Sequence, residues 1–140
     1  MIAAYVSYRN DCSFCQLSHS AAAIAYLAGN KELLDRIKAN PETAEVSGKM
    51  RALLNIAGLV QKGGKNVTPA DVDRVRQQGA TDLEIHDTVL IAAAFCMYNR
   101  YVDGLGMWQP AEPEAYREMG ERMAREGYGR GAKKTSRDAV

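Results

Sequence analysis

Residues 81–104 most constrain what this chain can fold into. Thr81-Asp82-Leu83-Glu84 is a capping box, in which the threonine and the glutamate three residues later each satisfy a backbone N–H of the other. Behind it Ile85, Val89, Leu90, Ala93 and Met97 recur at helical spacing, and Ala92, Ala94 and Phe95 widen the stripe. The pattern predicts a helix over 82–102, ending near Gly104 and Gly106 and buried on most sides. At about 1.5 Å per residue such a helix is as long as a small domain is wide, so the rest of the chain must pack along it.

The remaining segments read the same way. Short helices are expected over 1–9 and 31–38, and a helix over 13–28 that stops at Gly29. Val46, Met50, Leu53, Leu54, Ala57 and Val60 mark one face of a helix over 44–61, closed by Gly63-Gly64. Thr68-Pro69-Ala70-Asp71 combines a cap, a proline at the first helical position and an acid, and opens a helix over 69–78. A loop with Trp108, Pro110 and Pro113 leads to a last helix over 114–126. No stretch alternates apolar and polar residues with the period of a strand. The expected fold class is all-α: one helical domain over 1–126, followed by a flexible, basic, glycine-rich tail or oligomer arm over 127–140.

Composition narrows the partners. Hydrophobic residues make up 46% and charged residues 25%, the profile of an ordinary globular domain. A net charge of +1 gives no basic face for nucleic acid. No apolar run approaches the ~20 residues that span a bilayer, and no secretory signal opens the chain. We therefore expect no nucleic-acid or membrane partner and a cytoplasmic, reducing location. In that setting the three cysteines point to catalysis or metal binding before a disulfide scaffold.

Two of those cysteines sit in Cys12-Ser13-Phe14-Cys15-Gln16-Leu17-Ser18-His19. At roughly 100° per helical residue, Cys15 lies about 300° and His19 about 340° from Cys12, so all three share one narrow face if the segment is helical. Cys15 and His19 are one turn apart. Asn10 and Asp11 read as caps that put Cys12 near a helix N-terminus, where the helix field favours a thiolate. The field thus favours Cys12 as nucleophile, and the imidazole favours Cys15. A positioned base usually matters more for turnover, which selects Cys15 and leaves Cys12 as the alternative. We expect Cys12, Cys15 and His19 side by side at the start of the second helix, working as a redox site.

Other readings use the same residues. A zinc site would need a fourth ligand, which His86 or Cys96 could offer, and neither has zinc-finger spacing; no bound metal or other cofactor is expected. The thiols could also be a structural disulfide, or ordinary buried side chains beside a satisfied histidine. His86, followed by Asp87, reads as a surface or interface residue, and Cys96 as a small buried hydrophobe. Asn99, Arg100 and Asp103 read as holding a helix end and a subunit contact. Trp108 and the tyrosines read as core or interface, or as the lining of an apolar approach for an organic substrate.

Cys12-x-x-Cys15-x-x-x-His19 in an all-α chain resembles the alkylhydroperoxidase D-like branch of the carboxymuconolactone decarboxylase superfamily. Residues 3–15 resemble that family's approach to its active helix, and Phe95-x-x-x-Asn99-Arg100-x-x-Asp103-Gly104-Leu105-Gly106 its second helix signature. The resemblance covers most of residues 1–106. It implies thiol-dependent reduction of hydroperoxides in a homo-oligomer, a trimer or hexamer, regenerated by an external thiol or dithiol. By that pattern Cys15 attacks the peroxide, Cys12 resolves the sulfenic acid, and His19 belongs to the proton relay. The chain departs from the pattern in three places. The relay glutamate, about a dozen residues before the first cysteine, would fall just before Met1; position 14 is Phe rather than a second histidine; and Cys96 stands where asparagine is common. The parent superfamily's acid/base decarboxylase chemistry and a non-catalytic helical oligomerisation module are the alternatives. The long helix, too apolar for a comfortable monomer, independently argues for an oligomer.

Overall fold

A computed structural model describes residues 1–127; all of the expected tail but Gly127 lies outside the described residues. The described residues form seven α-helices and two short 3₁₀ turns, with no strand. The helices are α1 (Ile2–Arg9), α2 (Ser13–Tyr26), α3 (Lys31–Ala39), α4 (Gly48–Lys62), α5 (Pro69–Gln77), α6 (Asp82–Gly104) and α7 (Pro113–Glu126). No described helix is long and apolar enough to cross a membrane.

Both capping boxes form. Thr68 and Asp71 exchange side chain-to-backbone bonds at the start of α5, and Thr81 and Glu84 do so at the start of α6. The fourth helix begins later than its sequence suggests. Pro41–Thr43 is a 3₁₀ turn, and Ser47, whose side chain accepts from the Met50 N–H, is the N-cap. A short polar side chain that can cap outranks apolar spacing in setting the boundary.

The main core lies where α1, α4 and α6 meet. Tyr5 and Val6 from α1, Leu53, Leu54, Ile56 and Ala57 from α4, and Ile85, Ala92 and Phe95 from α6 are buried together. An eight-residue helix is marginal alone. α1 persists because Ala4, Val6 and Ser7 are fully buried between its neighbours, and each large apolar side chain so buried contributes about 1.5–3 kcal/mol. This inner position of α1 fixes where the following turn, with its thiols, must sit.

α2 packs on α1 along one side and on α7 along the other. α7 comes so close that a Cβ on Gly120 would lie 2.4 Å from Ala21. Glycine and alanine thus permit the tight crossing that the small residues of α2 suggested.

The expectation that α6 is buried on most sides does not hold for the single chain. Ile85, Thr88, Ala92, Phe95 and Asn99 face inward. Leu83, Leu90, Met97 and Tyr101, on the opposite face, are 57–67% exposed. α6 is apolar on two faces, and one chain covers only one of them.

Candidate active site

The chain turns from α1 to α2 within Asn10, Asp11 and Cys12. Asn10 closes α1. Asp11 is left-handed (φ 56°), a conformation that aspartate tolerates better than most residues. Cys12 follows in an extended conformation (φ −85°, ψ 100°) as the N-cap of α2. Its N–H donates to the Ser7 carbonyl at 3.1 Å, and its carbonyl accepts from the Gln16 N–H at 2.9 Å. Two expectations are corrected here. Neither Asn10 nor Asp11 caps α2, and Cys12 stands just outside the helix rather than on its face. Cys15 and His19 are on the helix, one turn apart.

The two thiols are nevertheless neighbours. Both are free and buried, Cys12 fully and Cys15 to 4% exposure. The Cys15 and Asp103 side chains are the neighbours that act on the Cys12 thiol. Burial pushes the Cys12 thiol up to about 12, and the Cys15 and Asp103 side chains add to the rise, against the opposing pull of the Cys15 backbone N–H. The helix-end field expected to favour a Cys12 thiolate therefore loses to desolvation. Cys12 is held as a thiol.

The His19 ring is half-buried and stands edge-on to Phe95, centroids 4.5 Å apart at 87°. Burial lowers its pKa to about 4, and the positive charge at the Met1 amino group adds to the effect. The imidazole is therefore neutral at pH 7 and has a nitrogen able to accept a proton.

A chain of polar side chains, buried at its Asn99–Ser7 end, fastens this turn to α6. Gln61 Nε2 donates to Asn10 Oδ1 at 2.8 Å, Asn10 Nδ2 donates to Asn99 Oδ1 at 2.8 Å, and Asn99 Nδ2 donates to Ser7 Oγ at 3.0 Å. Asn10 Nδ2 also approaches Cys96 Sγ at 3.6 Å, so the partly buried Cys96 packs beside the turn. Sequence reasoning missed Ser7, Asn10, Gln61 and Asn99 in this role. Phe95, Asn99 and Asp103 recur every four residues on one face of α6, and that spacing was the available signal.

Asn99 and Asp103 thus face the thiol turn, where a helix-end and subunit-contact role was expected. Arg100 donates to the Cys96 carbonyl of its own helix at 2.7 Å. His86 is exposed beside Asp87, at 3.1 Å. Trp108 is 82% exposed and is not part of the core. Phe14 tilts against Tyr116 on the α7 side, centroids 6.2 Å apart. Among the described residues no three His, Cys, Asp or Glu side chains are grouped to hold a metal ion.

The sequence matches no protein-family model and no curated protein. Solved structures do resemble it. A crystal structure described as an alkylhydroperoxidase AhpD core, an uncharacterized peroxidase-related protein from Ralstonia eutropha JMP134, is 28% identical with a TM-score of 0.74. The match covers 86% of this chain and 61% of that one. An uncharacterized peroxidase-related protein from Silicibacter sp. TM1040 is 28% identical with a TM-score of 0.71, over 83% of this chain and 59% of that one. The chain thus spans about three-fifths of the length of each.

Proposed function

We propose that this chain, whose fold is AhpD-like, is a thiol-dependent oxidoreductase that reduces hydroperoxides through a Cys12/Cys15 dithiol–disulfide cycle. One observation carries this reading: in an AhpD-like fold, two buried free thiols meet at the start of α2, with a neutral imidazole one turn beyond the second.

Cys15 is the nucleophile. Its proton passes to His19, and its sulfur attacks the outer oxygen of the hydroperoxide. The O–O bond breaks, the alkoxide takes a proton and leaves as an alcohol, and Cys15 becomes a sulfenic acid. Cys12 then displaces the hydroxyl, which leaves as water, and the Cys12–Cys15 disulfide forms. An external thiol or dithiol reduces it back. The cycle suits a reducing compartment, which supports a cytoplasmic location. The unpartnered apolar face of α6 supports a homo-oligomer, with a second copy covering Leu83, Leu90, Met97 and Tyr101.

The test is hydroperoxide consumption coupled to dithiothreitol, with two variants. Cys12→Ser should react once, accumulate a sulfenic acid trappable by dimedone and fail to turn over. Cys15→Ser should not react at a comparable rate. Oxidation of Cys12 at the parental rate in the Cys15→Ser variant would reverse the assignment of the two cysteines.

A further inference from the structure

Asp103 lies one turn beyond Asn99 in the last turn of α6. Asn99 is 1% exposed and bonded to both Ser7 and Asn10, on the α1 side of the thiol turn. The register of α6 against that turn is therefore fixed: Phe95 meets His19, Asn99 meets Ser7 and Asn10, and Asp103 is the next residue on the same face, beside the Cys12 thiol that it acts on. The neighbouring cation, Arg100, is engaged by the Cys96 carbonyl. Asp103 is itself exposed, while the sulfur it meets is fully buried. It connects a buried S–H to solvent.

We propose that Asp103 is the base of the resolving step, taking the proton from Cys12 as Cys12 attacks a sulfenic acid on Cys15. This rests on the peroxidase reading above and adds a catalytic residue to it. The step balances without any further reactant: the Cys12 S–H bond and the Cys15 S–O bond break, the S–S bond forms, and the proton held by Asp103 goes to the departing hydroxide to give water. Cys15 is already oxidised when the step begins, and Cys12 supplies the electron pair. The step needs such a base because burial keeps Cys12 protonated and a thiol attacks only weakly without losing its proton. His19, one turn beyond Cys15 and further from Cys12, serves the first step.

Cys15 from α2 and Asp103 from α6 are the ionisable side chains that face Cys12. A carboxylate beside Cys12 disfavours its thiolate before peroxide arrives, and then receives the proton once a sulfenic acid is present. The same contact keeps Cys12 quiet at rest and activates it on demand.

The experiment is a single-turnover reaction of the full chain with one equivalent of cumene hydroperoxide, quenched at intervals and read by mass spectrometry for sulfenic acid and disulfide. In Asp103→Asn the sulfenic acid should form on Cys15 at the parental rate and decay to disulfide at least ~10-fold more slowly. That decay should become dependent on hydroxide, rising about tenfold per pH unit below the thiol's titration, and Asp103→Glu should restore part of the parental rate. Disulfide formation at the parental rate in Asp103→Asn would overturn the proposal, and so would equal slowing of both steps, which marks a merely structural role. If the unmutated chain forms no sulfenic acid on Cys15, the peroxidase reading itself has failed; a parental resolving rate in Asp103→Asn refutes this proposal alone.

Discussion

Asn10 and Asn99 are joined side chain to side chain at 2.8 Å, and that bond fastens the turn carrying Cys12 to the longest helix of the fold. Asn99 lies 89 residues further along the chain from Asn10. The position of the thiols therefore depends on tertiary structure and not on the local sequence alone.

Replacing Asn99 should expose that dependence. Asn99→Ala removes the acceptor for Asn10 and the donor to Ser7, and leaves buried polar groups without partners. The expected cost is about 2–3 kcal/mol of stability, since an unmet buried polar group costs more than a made bond gains. Urea unfolding at fixed protein concentration measures it. A loss below ~0.5 kcal/mol would show that the network does not hold the turn.

His19 makes stability depend on pH in a defined direction. Its pKa is about 4 in the folded chain against 6.5 for the free side chain. The unfolded chain therefore binds more protons throughout that interval. The contribution of the neutral buried ring is complete above pH 6.5 and is lost as pH falls toward 4, on the order of 3 kcal/mol in total. Glu84, held down to about 2 chiefly by the Lys49 ammonium, acts only below 4.5, so the windows separate. Urea midpoints at pH 7, 5.5 and 4.5 should fall in the parent and stay flatter in His19→Gln. His19→Ala should also slow the first oxidation by about 10²–10⁴-fold if the imidazole is the base. Parallel pH profiles for parent and variant would contradict the stability claim.

The exposed stripe of α6 predicts assembly. Sedimentation at micromolar concentration should give a mass several times the 15.3 kDa of one chain. Leu90→Lys combined with Met97→Lys should shift it toward the monomer with little loss of helicity, because both side chains already face outward. A monomeric parent under these conditions would remove the argument.

Much of the fold is legible in the sequence. The capping boxes at Thr68 and Thr81, the glycine stop after α2 and the absence of strand periodicity are local signals, and helices follow local signals closely. The start of α4 was misread because Val46 continues an apolar spacing that Ser47 interrupts by capping. Burial of α6 on most sides was misread for a different reason. Composition records that two faces are apolar but not how many chains share them. At the site, the Cys12/Cys15/His19 spacing was visible, while the extended backbone at Cys12 comes with its place as the N-cap of α2, which the helical spacing did not show. The bonds of Asn99 to Asn10 and Ser7 were hidden because residues so far apart in sequence meet only when α1 docks inside the bundle.

The central claim is that Cys12 and Cys15 form one working pair, and counting thiols before and after peroxide tests it most directly. The chain should titrate with three free thiols. After one equivalent of organic hydroperoxide it should titrate with one, with peptide mapping placing the new disulfide between Cys12 and Cys15 and dithiothreitol restoring all three. Three thiols surviving the peroxide, or a disulfide that instead includes Cys96, would contradict the account.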